Sequence, residues 1–221
     1  MDDPDHTLPG VITSITPQKK NKERYSIFVN DTFLIGVAES TLLENNLRKG
    51  VEITPSFLRK LQRDEGRHAV KSYLLKLLSR REHARRELFN KALKKDYSAN
   101  IINGVLDELE EKEFINEQRF AEQFARDKSN LNHWGPTKIQ AHLRKKGISK
   151  EGTQHALDQA FESVDKKALL STLIKKRRRH FLREEDTFKR KKKVFDYLRR
   201  KGYPPGSIYN CLDELMEMLE Q

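Results

Sequence analysis

Residues 143–148 read Leu143-Arg144-Lys145-Lys146-Gly147-Ile148, and a nearly identical run returns as Leu198-Arg199-Arg200-Lys201-Gly202-Tyr203. An altered copy precedes both, Ala92-Leu93-Lys94-Lys95-Asp96-Tyr97, with Asp96 in place of the glycine. Each run is typical of a helix end. A Gly just past a helix adopts the left-handed conformation that satisfies the last carbonyls, and Lys and Arg in the last turn complement the helix dipole. The chain therefore repeats itself, at offsets of 51 and 55 residues.

After each run, apolar residues recur at the spacing i, i+3, i+4, i+7 that marks one face of a helix. The residues are Ile102, Val105, Leu106 and Leu109, then Thr153, Ala156, Leu157 and Ala160, then Ile208, Cys211, Leu212 and Leu215. Other apolar positions correspond in the helix before each run. Since each repeat is one supersecondary unit, the sequence predicts a mainly α fold in which tandem three-helix repeats form an elongated, curved array.

The first 65 residues differ from the repeats and predict a small β-rich module. Residues 11–16 alternate apolar and hydroxyl side chains, and two further predicted strands flank Asn30-Asp31, a pair suited to a tight hairpin turn. A short helix should follow. The predicted domains are the β-rich module at 1–65 and three-helix repeats at 66–113, 114–164 and 165–221.

Several helix boundaries can be predicted from local signals. Thr54-Pro55 predicts a helix start, since Thr caps a helix and Pro fits its first position, and we expect this helix to break or bend near Gly66. The capping-box spacing of Ser79-Arg80-Arg81-Glu82 predicts a second helix that runs to about Lys95. The first helix of the last repeat should cover residues 165–183.

The charge of the chain is concentrated in its repeats. The 221 residues contain 44 Lys and Arg against 33 Asp and Glu, a net charge of +11. Lys and Arg number 9 against 10 acidic residues in 1–65, 19 against 14 in 66–164, and 16 against 9 in 165–221. This excess favours a polyanionic partner such as nucleic acid or a nucleoprotein. The alternative is that the charges serve only as solvated helix surface.

The sequence offers little for catalysis. It contains no Gly-rich loop with Lys-Ser or Lys-Thr for nucleotide phosphates, and its seven histidines include no i, i+4 pair. Cys211 lies on an apolar stripe, where a packed thiol is expected. Paired carboxylates such as Asp107-Glu108 are interpreted as solvated helix surface with nothing nearby to perturb their pKa. We therefore expect no enzyme, no catalytic residue, no cofactor and no metal.

The composition also predicts a cytoplasmic protein without a membrane partner. No apolar run approaches the length of a membrane span, and the acidic start, residues 1–5, is unlike a signal peptide. A single cysteine excludes a disulfide framework within the chain.

The candidate binding residues are basic groups near the ends and starts of predicted helices. They are Arg80, Arg81, Arg85, Arg86, Lys94, Lys95, Arg119, Arg126, Lys138, Arg144, Lys145, Lys146, Lys189, Arg190, Lys191, Lys192, Lys193, Arg199, Arg200 and Lys201. Positions 81 and 85 are one helical turn apart, so part of the first group should share a face. Five consecutive basic residues also occupy 175–179, and phosphate would relieve the repulsion within such runs.

The aromatic residues do not interleave with the basic runs as a stacking platform for single strands would require. Their helical spacing is typical of core for Phe114, Phe120, Phe124, Phe161 and Phe195. Trp134 precedes Gly135-Pro136 in a loop, where an exposed ring and a cap over the repeat core are both open.

One long motif resembles a known family. It comprises Glu110-Glu111-Lys112-Glu113-Phe114-Ile115-Asn116-Glu117-Gln118-Arg119-Phe120-Ala121, then Arg126-Asp127-Lys128, then residues 135–148. This arrangement resembles the central motif of the bacterial RecX family, and residues 79–88 and 200–203 resemble its flanking repeats. The N-terminal module is similar to the extension of the longer members. Asp96 and Glu113 stand where the family usually has Gly.

The resemblance implies a modulator of the RecA recombinase. Family members are arrays of three-helix repeats that lie in the groove of the RecA–DNA filament, limit ATP hydrolysis and strand exchange, and promote filament disassembly. It therefore implies RecA, the RecA–DNA filament, and single- or double-stranded DNA as partners of a monomeric regulator of recombination, DNA repair and the SOS response.

Two other classes of function remain open from the residues alone. Net charge by itself predicts a sequence-independent DNA or RNA binder that does not contact RecA. A hidden nuclease or ATPase would need metal-dependent turnover, and the absence of a phosphate loop in the sequence argues against it.

Overall fold

The computed structural model describes residues 8–19, 21–162 and 164–220, so the acidic start at residues 1–5 lies outside the described residues. The chain begins with β1 (Gly10–Pro17), β2 (Arg24–Val29), β3 (Thr32–Ala38), α1 (Glu39–Glu44) and β4 (Glu52–Ile53). Helices follow: α2 (Pro55–Leu78), α3 (Arg85–Leu93), α4 (Ala99–Glu111), α5 (Glu117–Asn130), α6 (Pro136–Lys145), α7 (Lys150–Phe161), α8 (Lys166–Lys175), α9 (Arg178–Leu182), α10 (Thr187–Lys201) and α11 (Pro205–Glu220). The mainly α fold with a small N-terminal β module is confirmed.

The described residues form two compact units. The first unit contains the described residues up to Arg81, together with Leu88–Lys112. The second contains Glu82–Glu87 and the described residues from Glu113 onward. Helix α3 therefore contributes residues to both.

The first unit contains an antiparallel sheet with the strand order β3-β2-β1-β4. The hairpin predicted at Asn30-Asp31 is confirmed, because these residues join β2 to β3 with φ angles of 48° and 64°. The core of this module contains Ile12, Ile27, Val29, Val37 and Ile53 from the strands with Leu58 and Leu61 from α2. Helix α2 therefore belongs to the β module as well as to the helices that follow.

Helix α2 begins as predicted and continues further than predicted. Thr54 accepts a hydrogen bond from the Phe57 amide at 3.2 Å, and Pro55 is the first helical residue. The expected break at Gly66 is wrong, since the helix continues to Leu78. A Cβ at Gly66 would lie 3.0 Å from the Cδ1 atom of Ile101 in α4. The glycine therefore serves close helix packing.

Glu108 in α4 is a mostly buried carboxylate that binds three cations of the first unit. Its carboxylate accepts hydrogen bonds from Lys112, Lys71 and Arg67, each at 2.7 Å, and its side chain is 13% exposed. These three cations hold the pKa of Glu108 far below its ordinary value. The interpretation of Asp107-Glu108 as solvated surface with unperturbed pKa is therefore wrong for Glu108.

Helix α3 begins at Arg85, and the start predicted at Ser79 is wrong. Ser79 ends α2, and its hydroxyl donates to the Lys76 carbonyl at 3.1 Å. The following residues form no helix, and His83 and Ala84 are buried. Burial of this connecting segment has overridden the local capping signal.

The three repeated runs end in the left-handed backbone conformation. The φ angle is 61° at Asp96, 92° at Gly147 and 96° at Gly202. The Ile148 amide donates to the Leu143 carbonyl at 3.1 Å, and the amide after Gly202 makes the equivalent bond at 3.2 Å. Asp96 thus adopts the conformation that Gly adopts in the other copies, although it costs a residue with a Cβ more strain.

The last repeat contains a helix break that the sequence did not predict. The continuous helix expected over 165–183 is wrong, because α8 ends at Lys175 and α9 begins at Arg178. Arg177 lies between them with a φ of −117°. The five adjacent cations at 175–179 therefore span the end of α8, the break and the start of α9.

The second unit contains two apolar cores. The first joins Ala84 with Phe120, Ala121, Ala125, Ile139, Leu143, Ile148, Ala156 and Leu157. The second consists mainly of side chains from α8 to α11, such as Leu173, Phe181, Leu198, Ile208 and Leu215. The stripes predicted for the second and third repeats face these cores. Phe114 is 50% exposed, however, so its assignment to the core is wrong.

Cys211 is the buried structural thiol that the sequence predicts. Its Sγ donates to the Ser207 carbonyl at 3.3 Å, and burial raises the pKa of the thiol. None of the helices in the described part of the chain combines the length and apolar character needed to span a membrane.

Candidate polyanion-binding surface

Within the second unit, the end of α10 packs against the start of α6. The Gly135 amide donates to the Lys201 carbonyl at 2.8 Å, and the Thr137 amide donates to the Gly202 carbonyl at 3.0 Å. A Cβ on Gly135 would lie 2.3 Å from the Gly202 oxygen, and one on Gly202 would lie 2.3 Å from the Lys138 Cβ. Both glycines are therefore required for this junction.

The junction gathers four cations from three parts of the chain. Lys138 comes from α6, Lys176 and Arg177 from the α8–α9 break, and Lys201 from the end of α10. Burial lowers the pKa of Lys201, and the charges of Lys138, Arg177 and Lys176 lower it further. The Lys176 Nζ atom also lies 3.3 Å from the Nε2 atom of His133. We call Lys138, Lys176, Arg177 and Lys201 the junction cluster.

The junction cluster lacks neutralising acids. Within the described residues, none of its four cations forms an ion pair with a carboxylate. The pKa of His133 is lowered by burial and by Lys176 and Lys201, so this imidazole is held neutral. No carboxylate among the described residues therefore relieves the repulsion among the cations, and a bound anion would relieve it.

Trp134 lies at the edge of the cluster. The Lys138 Nζ atom is 4.5 Å from the centre of its ring, and the Lys128 Nζ atom is 5.4 Å away. The ring is half-buried beside the core of repeat two and contacts His142 at a centroid distance of 4.6 Å. Of the two alternatives for Trp134, the structure favours a cap on the core, and the ring also makes cation–π contacts with two lysines.

The α8–α9 break opens a groove beside the junction cluster. Its volume is about 670 Å³, and every side chain that lines it is basic. The lining residues are Lys175, Lys176, Arg177, Arg178, Arg179, His180 and Arg183. Lys176 and Arg177 belong to both the groove and the cluster. We call this the basic groove; a row of negative charges is the ligand that its lining complements.

Several predicted candidates are instead engaged in ion pairs within the chain. These pairs are Arg119 with Glu82, Lys146 with Glu87, Arg190 with Glu220, Lys191 with Asp213, and Lys193 with Glu184. Lys146 is 27% exposed and lies 5.6 Å from the ring centres of Phe120 and Phe124. Lys146 is therefore partly buried and contributes to the packing of repeat two, whereas Arg144 and Lys145 are exposed.

Other predicted candidates are exposed and have no carboxylate partner among the described residues. They are Arg80, Arg86, Lys94, Lys95, Arg126, Arg144, Lys145, Lys189, Lys192, Arg199 and Arg200. Arg81 and Arg85 interact with other groups, and no helix runs between them, so their predicted shared helical face is wrong.

The candidate set lacked Lys128, Lys176 and Arg177. The sequence did contain a signal for the last two, the basic run at 175–179, but the break that opens the groove depends on tertiary packing. In the part of the chain that the structure describes, no three His, Cys, Asp or Glu side chains lie close enough to hold a metal ion.

Four family models match the chain in order. The model for the regulatory protein RecX N-terminal domain matches residues 10–54, and those for the first, second and third three-helix domains of RecX match 71–109, 116–157 and 165–212. A regulatory protein RecX from Clostridioides difficile is 29% identical over 213 residues, which cover 96% of this chain and 98% of that protein. One from Bacillus cytotoxicus is 30% identical over 94% of this chain and 78% of that protein.

Solved structures agree with these sequence relatives. A crystal structure of regulatory protein RecX superposes with a TM-score of 0.74 at 26% identity, covering 92% of this chain and 99% of that one. The structure of RecX from Lactobacillus salivarius has a TM-score of 0.55 at 21% identity and supports the fold alone.

Proposed function

The chain belongs to the RecX family of regulatory proteins, and we propose that it binds the RecA recombinase and the RecA–DNA filament and limits ATP hydrolysis and strand exchange there. The observation that carries this proposal is the match of four RecX domains in order along the chain. A regulator of this kind modulates recombination, DNA repair and the SOS response. It acts in the cytoplasm as a monomer, without a cofactor or catalysis of its own.

The charges of the second unit support a nucleoprotein target. The junction cluster and the basic groove share Lys176 and Arg177, so their cations form one continuous surface. Because no carboxylate neutralises the cluster within the described residues, an approaching polyanion gains the full attraction of its cations. A filament of RecA on DNA is such a polyanion.

The backbone hydrogen bonds at Gly135 and Thr137 explain how such a surface could act on an assembly. They fix α6 and α10 against each other, so the cations of both repeats are held in one geometry before binding. A preorganised surface loses little of its binding free energy to the ordering of side chains and backbone. Binding would then oppose the motions or the assembly of the filament on which ATP hydrolysis depends.

The test is the ATPase activity of RecA on single-stranded DNA in the presence of this protein. We expect hydrolysis to fall at substoichiometric to equimolar protein. The variant Lys176→Gln/Arg177→Gln/Lys201→Gln should inhibit less. Its binding should also depend less on salt, because the log–log slope falls by about one for each phosphate that the variant no longer neutralises.

The matched control for that variant is Lys22→Gln/Arg48→Gln/Lys49→Gln. It removes the same charge from exposed positions in the first unit and should inhibit like the unaltered chain. Equal loss of inhibition in both variants would mean that net charge, and not the junction cluster, governs binding.

The alternative is a sequence-independent DNA or RNA binder that does not contact RecA. The fully basic lining of the groove is the observation that favours it. Tight binding to naked DNA, together with undiminished RecA ATPase at saturating protein, would establish this alternative in place of the regulator.

A further inference from the structure

A second groove in the last repeat is lined by aromatic rings. It lies between α10 and α11, has a volume of about 230 Å³, and is lined by Phe188, Lys191, Lys192, Phe195, Tyr209 and Leu212. Phe188 is 78% exposed and Tyr209 is 63% exposed. Contiguous exposed apolar surface marks interaction sites, and here two exposed aromatic side chains line one groove.

Two of the rings contact each other. Phe195 is half-buried against the core and lies 4.8 Å from Tyr209, with an interplanar angle of 34°. Phe188 stands in the first turn of α10. The groove is smaller than the roughly 300–1,000 Å³ of typical small-molecule pockets, and one flat ring is a ligand of matching size.

The charges beside the groove indicate which kind of flat ligand it would bind. Phe188 directly precedes the basic run 189–193 of α10. Lys191 is neutralised by Asp213, whereas Lys192 and Lys189 are exposed and have no carboxylate partner within the described residues. A ligand that combines a flat ring with adjacent negative charge satisfies both features.

We propose that this groove binds an unpaired base of single-stranded nucleic acid, with Phe188 and Tyr209 stacking on the base and Lys189 and Lys192 binding the flanking phosphates. Every base has a π face, so such a site is tolerant of sequence. A base in a duplex is already stacked and paired, so the site discriminates against double strands. If this groove binds a base, the prediction that the aromatic residues form no stacking platform with the basic runs does not hold here.

The test uses the full chain without RecA, so its outcome is separate from that of the regulatory proposal. Binding is measured at one salt concentration to three probes of equal length: an oligothymidylate, the same backbone with abasic sites, and a duplex. The unaltered chain should bind the oligothymidylate about tenfold more tightly than the abasic strand of equal charge. Equal affinity for these two strands would overturn the proposal.

Substitutions at Phe188 test whether its ring causes the preference for bases. Phe188→Ala should abolish the preference for bases and leave abasic binding unchanged, and Phe188→Trp should retain the preference. Phe114→Ala is the matched control, because Phe114 is also half exposed but lies outside the groove. Equal weakening of both strands by Phe188→Ala would contradict stacking.

A crosslinking measurement needs no variant. An oligonucleotide that contains 5-iododeoxyuridine should crosslink, on irradiation, to the peptide that holds Phe188 or Tyr209; crosslinks confined to other peptides would overturn the proposal. The last measurement uses an acidic peptide that contains one Phe. If this peptide binds more tightly than the oligothymidylate and Phe188→Ala abolishes its binding, the groove is a site for an acidic protein segment instead.

Discussion

Lys146 and Lys201 occupy the same place in two repeats and have opposite surroundings. Each directly precedes the glycine that ends its helix. Lys146 binds Glu87 at 3.0 Å and covers two phenylalanine rings. Lys201 faces the other cations of the junction cluster, donates only to the Asn132 carbonyl at 3.1 Å, and has its pKa lowered. One lysine stabilises the fold through an ion pair, and the other belongs to a cluster of cations that lacks a carboxylate among the described residues.

A repeated basic run therefore does not have one function. The helix-ending role is common to both copies, because it depends on the glycine and the local backbone. The second role is set by whether another segment brings a carboxylate to the lysine. In repeat two the segment Glu82–Glu87 does so, and in repeat three the neighbouring segments bring cations.

The largest expected effect comes from the glycines of the two runs. Gly202→Ala places a Cβ 2.3 Å from Lys138, whereas Gly147→Ala meets Arg86 at an ordinary 3.5 Å. Both introduce the strain of a left-handed alanine, about 1 kcal/mol, but Gly202→Ala adds overpacking and should lower the free energy of unfolding by about 3 kcal/mol or more. Denaturant unfolding of both variants measures this difference.

The control for the glycine pair is Gly206→Ala in α11, where a Cβ would meet nothing within 4 Å. It should not destabilise the protein, since Ala favours a helix over Gly. Equal losses from Gly147→Ala and Gly202→Ala would mean that the α6–α10 junction is not rigid.

The surroundings of Glu108 contrast with the junction cluster, because here one carboxylate neutralises three cations. Glu108→Gln should lower the free energy of unfolding of the first unit by about 2 kcal/mol at neutral pH, between the values for exposed and buried pairs. Because the folded pKa is lowered, this contribution is complete above the ordinary pKa of 4.5 and declines as pH falls toward the folded pKa.

Unfolding at neutral and acidic pH checks this sign, with Glu111→Gln, an exposed position of the same helix, as the control. The deficit of Glu108→Gln should shrink in acid, while the control stays near the unaltered chain throughout. A deficit that is constant with pH would assign the effect to packing and not to charge.

Substitution of Lys146 should affect mainly stability, and substitution of Lys201 should affect mainly binding. Lys146→Gln should cost about 1 kcal/mol of stability, since it breaks a partly buried ion pair and two ring contacts, and should leave DNA binding unchanged. Lys201→Gln should keep or slightly raise stability, because it removes repulsion, and should lower the log–log salt slope by about one. Urea unfolding and salt titration of DNA binding measure the two effects, and the reverse pattern would contradict the assignment.

The smallest effect on the fold is expected at the exposed end of α6. Arg144→Gln/Lys145→Gln should change stability by no more than about 0.5 kcal/mol. If the binding surface extends along α6, the double variant should weaken filament binding and flatten its salt dependence. An unchanged slope would restrict the surface to the junction cluster and the basic groove.

Local signals in the sequence predicted the features that neighbouring residues determine. The hairpin at Asn30-Asp31, the cap at Thr54 and the apolar stripes of the repeats all follow from dihedral preference or helical period. Features that depend on distant partners were missed. Ser79 failed as a cap because His83 and Ala84, a few residues after it, are buried outside a helix. The basic groove exists because the helix over residues 165–183 is broken.

The same limit applies to the candidate residues. The sequence located the basic runs but not their partners, so Lys146 and Arg119 could not be separated from Lys201 before Glu87 and Glu82 were placed beside them. The exposure of Phe188 could not be predicted either, because a position in a helix does not by itself say which side of the helix faces water.

The hydrogen bonds between α10 and α6 also bear on how the chain is made. The amides of Gly135 and Thr137 find their acceptors at Lys201 and Gly202, more than 60 residues further along the chain. These amides therefore lack their acceptors until repeat three has left the ribosome. Because chains are synthesised from the N-terminus, repeat two completes its packing only when repeat three arrives.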